Sequence, residues 1–175
     1  MSGLDGRAAA LRQAFDAGFA RAPVAHTRAA HDLLALTIGG DAYAIDMREV
    51  ASLAVDRPIT PLPTAVPELS GLAGLRGRIV PVYDLALLLG YPRPAATRWL
   101  AIAAGAPLAL AFERFDGYVR RPAGEMTFEA ADGLRGRHVR TIARAAGWAR
   151  PMVALRAVLE TIRQRVPDAD GDKER

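Results

Sequence analysis

Cysteine is missing from this 175-residue sequence, and lysine occurs only once, at Lys173. Without cysteine, neither a disulfide bond nor a thiolate metal site can form. The histidines are His26, His31 and His138, and no two of them lie at the HxH or HxxxH spacing of a metal site. The sequence therefore predicts neither a bound metal nor another cofactor.

Long hydrophobic runs are also missing. The longest candidate, residues 100–112, is interrupted by Gly105 and Pro107 and is shorter than the roughly 18 apolar residues that span a bilayer. Near the N-terminus, Asp5 and Arg7 precede a stretch without an apolar core, which is not the pattern of a signal peptide. We therefore expect a cytoplasmic protein with no segment inserted in the membrane.

Residue types that carry catalysis occur only in weak patterns. Ser70 lies in no GxSxG elbow and is typical of a turn residue. Two carboxylate pairs, Asp46 with Glu49 and Glu113 with Asp116, come at predicted strand ends, where charged side chains normally meet solvent. The glycine-rich stretch GLAGLRG lacks the lysine and the hydroxyl of a phosphate loop. We therefore predict no catalytic residues and no small-molecule substrate.

The residues that are present fit a globular protein, since 51% are hydrophobic and 24% are charged. The net charge is +4, and the abundance of arginine and alanine indicates a GC-rich genome more than a ligand. Between Gly133 and Leu159 no acid occurs, and the arginines there are Arg135, Arg137, Arg140, Arg144, Arg150 and Arg156. This stretch is either a solvated surface or the basic face of a nucleic-acid-binding β-barrel, although few aromatic residues accompany it.

The N-terminal segment predicts an amphipathic helix over Leu4–Ala22, with an apolar stripe that includes Leu11 and Phe15. Pro23 ends this helix, which either lies on the body of the protein or docks on a partner. Residues 1–30 are therefore expected to form a helical extension and a linker. At the other end, residues 167–175 are charged and carry no large apolar side chain, which predicts a disordered tail.

From Leu33 the apolar period changes to that of strands. Two short runs flank Gly39-Gly40-Asp41 and predict a hairpin, and VASLAV predicts a third strand. A proline-rich connector, RPITPLPTAVP, then leads to the strand RIVPVYDL, in which Pro81 indicates an edge or a bulge. Asp84 is expected to cap the short helix LALLLG, which ends at Gly90.

The second half of the sequence repeats this order. RWLAIA and LALAFE predict another hairpin, and RPMVALRAVL aligns with VPVYDLALLL at a constant offset. The repeat predicts a mainly β protein made of two small closed barrels, with halves at roughly 31–95 and 96–166. A C-terminal helix follows, with an apolar stripe at Leu155, Val158, Leu159, Ile162 and Val166.

Several of these stretches resemble one known family. The stretches LLALTIGGDAYAIDMREV, ITPLPTAVP and LAGLRGRIVPVYDLALLLG are similar to those of the CheW-like coupling proteins of bacterial chemosensory arrays. The resemblance covers about Leu33 to Ile162 and implies two SH3-like, five-stranded β subdomains within residues 31–166. It also implies a non-catalytic adaptor that couples the cytoplasmic tips of chemoreceptors to the regulatory domain of a CheA-type histidine kinase.

The resemblance assigns partner contacts to a glycine-flanked loop. Gly74 and Gly77 allow unusual backbone angles, so we expect a tight bend that holds Leu75 and Arg76 outward. The family's contacting arginine falls on Arg76, and a groove-lining valine falls on Val50. Arginine suits such a role because it pairs with carboxylates through two hydrogen bonds, although a solvated loop arginine is the alternative.

This sequence departs from the family pattern at two single positions and in the stretch from Met126 to Arg144, which is short and rich in arginine. Gly74 stands where the family has asparagine, and Arg114 stands where it has glycine after the second hairpin. Asp84 matches an aspartate of the family and is expected to be a helix cap. The predicted protein-binding residues are therefore Arg76, Val50, Leu75, Gly77 and Gly74.

Overall fold

The computed structural model describes residues 30–131 and 136–165. The predicted helix Leu4–Ala22 and the predicted tail 167–175 lie outside these residues. Within them, the protein is mainly β, with twelve strands, two α-helices and three short 3-10 helices. The strands are β1 (Ala30–Ile38), β2 (Asp41–Asp46), β3 (Val50–Val55), β4 (Ile59–Thr60), β5 (Leu69–Leu75), β6 (Arg78–Asp84), β7 (Trp99–Ala103), β8 (Ala109–Phe112), β9 (Arg114–Pro122), β10 (Thr127–Ala130), β11 (Val139–Ala145) and β12 (Trp148–Val153). The helices are α1 (Leu85–Leu88) and α2 (Leu155–Arg165), and the 3-10 helices are Met47–Glu49, Ala123–Glu125 and Gly136–His138.

Both predicted hairpins are confirmed. β1 pairs with β2 across Gly39 and Gly40, which have φ values of 60° and 82°, as the two central residues of a type I′ turn require. A side chain at Gly39 would meet the ring of Tyr91, because an added Cβ would lie 2.2 Å from a ring carbon. β7 and β8 form the second antiparallel hairpin.

The strands form two six-stranded sheets. Sheet A has the order β10-β11-β12-β2-β1-β9, and sheet B has the order β3-β7-β8-β6-β5-β4. The first hairpin of the sequence therefore lies in sheet A beside strands of the second half, and the second hairpin lies in sheet B beside strands of the first half. The halves 31–95 and 96–166 accordingly do not each build one sheet. Each sheet has six strands and not the expected five, and closure of either sheet into a barrel stays a prediction.

Pro81 is accommodated differently from what its sequence context predicts. β6 lies inside sheet B, between β5 and β8, and is not an edge strand. Its parallel pairing with β8 begins only at Val82, so the missing N–H of Pro81 removes no hydrogen bond of that ladder. The irregularity in the β5–β6 pairing lies on β5 instead, where Ser70 is the extra residue between Leu69 and Gly71.

The two sheets share one large apolar core and each has a smaller one of its own. The shared core joins residues such as Leu36 and Tyr43 of sheet A to Leu110 and Phe112 of sheet B. In sheet A, Leu33, Ala44, Met126 and Ala143 form a separate cluster. In sheet B, the separate cluster consists of Ala73, Leu75, Val80, Val82, Leu100, Ala109 and Ala111.

The predicted cap of the first helix is confirmed. Asp84 is 2% exposed, and its Oδ1 accepts hydrogen bonds from the backbone N–H groups of Ala86 and Leu87 at 2.9 and 3.2 Å. Burial raises the pKa of Asp84, although these two N–H groups act in the opposite direction. Gly90, with φ at 79°, follows the helix as its positive-φ terminator.

Helix α2 is anchored to both sheets. Its predicted stripe is buried at Leu155, Val158, Leu159 and Ile162, which all belong to the shared core, while Val166 lies outside the described residues. Thr161 is hydrogen-bonded to the Nε2 atom of His138 at 2.8 Å, and Arg165 pairs with Glu68 before β5. No helix in the described part of the chain has the length and apolar character needed to cross a membrane.

Candidate functional site

The β5–β6 hairpin presents an arginine on its turn. Leu75 pairs with Arg78, so Arg76 and Gly77 are the two central residues of the turn, with φ values of 50° and 76°. Both values are positive, as a type I′ turn requires. Positive φ is uncommon for residues other than glycine, so this turn fixes the backbone of Arg76 in a restricted conformation. The Arg76 side chain is exposed.

Two expectations for this loop are wrong. Leu75 does not point outward, because it is 9% exposed and packs in the separate cluster of sheet B. The register of the turn decides this, since side chains alternate along β5 and Gly74 takes the exposed position. Gly74 also has no positive φ and lies within the strand, so the unusual backbone angles belong to Arg76 and Gly77. The unusual backbone angle predicted for Gly77 is confirmed.

A groove of about 760 Å³ opens beside this turn. It is lined by consecutive residues of β3, by parts of β7, by the β5–β6 hairpin and by the β7–β8 turn. Leu75, Val80 and Ile102 line it and also belong to, or pack against, the separate cluster of sheet B. The apolar interior of sheet B is therefore accessible through the groove.

In the part of the chain that the structure describes, the charged residues that line the groove are all arginines: Arg57, Arg76 and Arg78. All three are exposed, and none has an acidic side chain within ion-pair distance among residues 30–131 and 136–165. The neighbouring Arg98 differs, because its guanidinium pairs with Asp56 at 2.7 Å. An apolar groove with an uncompensated cationic rim is suited to binding an acidic protein surface.

Comparisons with known proteins show the family of the chain. A model of the CheW-like domain matches residues 32–120, which include every residue that lines the groove. The chain belongs to the CheW-like domain family. Among solved structures, it is similar to the scaffolding protein TtCheW from Thermoanaerobacter tengcongensis, with 19% identity and a TM-score of 0.61 over 70% of this chain and 88% of that chain. No curated protein matches the sequence.

Val50, the other apolar site residue expected from the family, lies at the start of β3 and is 8% exposed. It packs in the core that the two sheets share, so it lies between the sheets and does not line the groove. The next residue, Ala51, lines the groove instead. A contact role for Val50 stays a prediction.

The arginine-rich stretch 133–159 is largely engaged within the CheW-like chain itself. Arg144 pairs with Glu129 at 2.7 Å, Arg150 pairs with Asp116 at 2.6 Å, and Arg137 donates to the side chain of Gln164 at 3.3 Å. Arg135 lies outside the described residues. The two ion pairs offset part of the positive charge, which weakens the alternative of a nucleic-acid-binding face.

The carboxylate pairs weighed for catalysis have structural contacts. Asp46 caps the 3-10 helix Met47–Glu49 and pairs with Arg48, whose hydrogen bonds lower the pKa of Asp46. Burial raises the pKa of Glu49, and its Oε2 accepts from the backbone N–H of Leu155 at 3.4 Å. Glu113 accepts from the backbone N–H of Gly40 at 3.1 Å. Within the described residues, no group of three acidic or histidine side chains could hold a metal ion.

Asp116, the partner of Glu113 in the sequence, is the centre of a polar network in sheet A. It is the extra residue of a β-bulge in β9, opposite the step from Ala35 to Leu36. Its carboxylate accepts from Thr37 at 3.1 Å and from Arg114 and Arg150 at 2.7 and 2.6 Å. Burial acts to raise the pKa of Asp116, but these hydrogen bonds outweigh it and hold that pKa below the usual value. Arg114, which stands where the family has glycine, thus forms an ion pair with Asp116 of the same strand.

Sequence reasoning missed Arg57 and Arg78 as members of the site. Arg78 stands directly after the GLRG motif. The alternation of side chains along the strand that starts at the turn could have indicated that Arg78 belongs to the site. Arg57 follows β3 and reaches the same groove only because of the tertiary fold. No local pattern connects it with Arg76.

Proposed function

We propose that the protein is a non-catalytic adaptor that couples the cytoplasmic tips of chemoreceptors to the regulatory domain of a CheA-type histidine kinase. Its place in the CheW-like domain family supports a scaffold role in chemotaxis-type signalling. The proposed location is the cytoplasm, where both partners present the relevant domains. We further propose that each sheet forms an SH3-like barrel, which in sheet B stays open at β3, and that the N-terminal extension is an additional helix.

One observation carries the assignment of the binding residues. Arg76 is exposed on a two-residue turn, at the rim of an apolar groove, without an acidic partner in the described chain. A guanidinium in this position can form two parallel hydrogen bonds with a carboxylate of the partner. Because the turn already restricts the backbone of Arg76, little conformational entropy of the loop is lost on binding. Gly77 serves this role by allowing the turn.

The groove supplies the apolar part of the proposed interface. Leu75 contributes from the groove lining and Val50 from the core behind β3, so we propose that they support the shape of the site more than they contact the partner directly. Binding energy at protein interfaces is concentrated in a few residues, and arginine is frequent among them. Arg76 is the residue that we expect to dominate.

The test is the binding of Arg76→Glu to an isolated CheA-type regulatory domain, measured by calorimetry. We expect a loss of affinity of about 30-fold or more, since a hot-spot residue contributes roughly 2 kcal/mol or more and the new charge repels an acidic partner. Arg163→Glu is the matched control, because Arg163 is an exposed arginine on α2 far from the groove in sequence. Equal affinities of Arg76→Glu and Arg163→Glu would refute the assigned role of Arg76.

A further inference from the structure

The groove has an unusual wall, which is the free edge of a β-strand. β3 is the end strand of sheet B and pairs only with β7 among the described residues. Residues 51–55 of this strand all line the groove. An unpaired strand edge in an apolar groove is the geometry that binds an added strand from another protein.

The direction of the free backbone groups follows from the register. The N–H of Asp56 donates to the carbonyl of Arg98 at 2.9 Å, so Asp56 is paired toward β7. Hydrogen-bonding direction alternates along an antiparallel strand, so Ala54 also turns its backbone groups toward β7. The N–H and C=O groups of Leu53 and Val55 therefore face the open edge. The pairing is irregular at Ala51, so the usable edge is Ser52–Val55.

The charges of the groove define the chemistry of the occupant. Arg57 follows this edge directly, and Arg76 and Arg78 lie on the opposite hairpin, while no acidic residue within 30–131 or 136–165 lines the groove. An incoming strand would thus pass between cationic side chains on both sides. Apolar side chains on one face of that strand would meet Leu75 and Val80, and acidic side chains would meet the arginines.

We propose that the groove binds an extended, acidic segment of the partner protein by strand addition to Ser52–Val55. This rests on the proposed function, because it uses the same groove and names how the partner enters it. The chain's own N-terminal segment is a poorer occupant, since residues 1–29 contain Asp5 and Asp16 as their only acids against Arg7, Arg12, Arg21 and Arg28. Like charges at the groove oppose such docking.

The experiment uses the full chain and three labelled peptides of equal length. The first alternates glutamate and valine, the second alternates lysine and valine, and the third is the glutamate peptide with alternate backbone nitrogens methylated. Affinity is measured by fluorescence anisotropy. We expect the lysine and N-methylated peptides to bind at least about tenfold more weakly, because each loses the equivalent of one or two net hydrogen bonds or ion pairs.

Amide hydrogen exchange then locates the peptide. Binding of the glutamate peptide should slow exchange at Leu53 and Val55 and leave Ala54, which already faces β7, nearly unchanged. Equal binding of the N-methylated peptide, or unchanged exchange at Leu53 and Val55, would overturn strand addition. Slow exchange at both amides in the chain alone would also overturn it, because a segment of this chain would then occupy the edge.

The same exchange measurement separates this inference from the proposed function. If the kinase regulatory domain binds without slowing exchange at Leu53 and Val55, strand addition fails and the adaptor function stands. If the acidic peptide slows exchange at both amides but the kinase domain does not bind, the groove chemistry stands and the assignment of the kinase as partner fails. As a test on the protein itself, the substitution Arg57→Glu should lower the affinity for the glutamate peptide, whereas Arg163→Glu should not.

Discussion

In sheet A the guanidinium of Arg150 is held by Asp116 at 2.6 Å and by the carbonyls of Leu36 and Tyr43 at 3.1 and 3.2 Å. In sheet B the guanidinium groups of Arg57, Arg76 and Arg78 line an open groove and have no acidic partner in the described chain. The contrast concerns these particular side chains, because sheet B also holds paired arginines such as Arg98 with Asp56. The Arg150 pair joins strands of sheet A, whereas the arginines of the groove have no such contact, and we propose that they contact a partner protein.

The separate apolar clusters of the two sheets differ in whether a polar network lies beside them. The separate cluster of sheet B is apolar and continues into the groove through Leu75 and Val80. On sheet A, Thr37 lies on the same face of β1 as Leu33 and joins the Asp116–Arg150 network, so polar contacts adjoin the apolar cluster. The network crosses from β12 over β2 and β1 to β9. It therefore reinforces the contact between β12 and β2, which pair at a single position, Met152 with Ala44.

The largest expected effect comes from a substitution in the core that both sheets share. Phe112→Ala takes a 1% exposed ring out of the core that the two sheets share. We expect a loss of about 3–5 kcal/mol in the free energy of unfolding, from lost burial and the cavity that remains. Urea unfolding followed by circular dichroism and tryptophan fluorescence should give one coincident transition. Two separated transitions would mean that the sheets unfold independently of their shared core.

The second prediction compares one arginine from each sheet. Arg150→Met removes the cation beside a carboxylate whose side chain is only 13% exposed, so we expect a loss of about 1–3 kcal/mol in the free energy of unfolding. Arg78→Met, at an exposed position of sheet B, should change that free energy by less than about 0.5 kcal/mol. Equal destabilisation by the two substitutions in urea titrations would show that sheet B also depends on its arginines for stability.

The third prediction concerns pH. The pKa of Asp116 is lower in the folded protein than the ordinary value of 3.8. At a pH between these two pKa values, the unfolded chain therefore binds more protons than the folded protein. The network therefore stabilises the fold fully at neutral pH, and this contribution is lost as pH falls through the folded pKa. We expect wild type and Asp116→Asn to differ in unfolding free energy at pH 7, and we expect this difference to shrink as pH falls below about 4 toward the lower folded pKa. A difference that is constant from pH 7 to pH 3 would contradict the network.

The smallest expected effects come from alanine substitutions at the two glycines of the loop, which should differ from each other. Gly77→Ala places a side chain at φ 76°, so we expect a loss of about 1 kcal/mol in the free energy of unfolding. Gly74→Ala has no positive φ, and its Cβ would meet no atom within 4 Å, so the change should stay within about 0.5 kcal/mol. Melting temperatures of the two variants test this. Equal shifts would mean that the turn does not lie at Arg76–Gly77.

Local features of the fold were predictable because their causes lie within a few residues. Gly39-Gly40 specifies a type I′ turn, and Asp84 accepts hydrogen bonds from the next turn of chain, so the first hairpin and the helix cap follow from sequence alone. The inverted orientation of Leu75 shows the limit of this reasoning. A shift of the turn by one residue reverses every side chain of the hairpin, and the turn residues alone did not fix that register.

Long-range arrangement was not predictable for a physical reason. Asp116 and Arg150 are distant in sequence, and the bulge that turns Asp116 toward Arg150 has no local signature beyond Gly117. Each hairpin lies in a sheet beside strands from the other half of the chain. The strand patterns could not predict this, because a hairpin has the same hydrophobic pattern in either sheet. Arg57 joins Arg76 for the same reason, through sheet order and not through spacing.

We propose that sheet B presents the binding surface, while sheet A is held together by internal ion pairs. The most direct measurement is the map of backbone amide chemical shifts on titration with an unlabelled CheA-type regulatory domain. We expect the largest changes on β3, on the β5–β6 turn with Arg76 and Gly77, and on the β7–β8 turn. Changes confined to β9–β12 of sheet A, with the β5–β6 turn unaffected, would contradict this proposal.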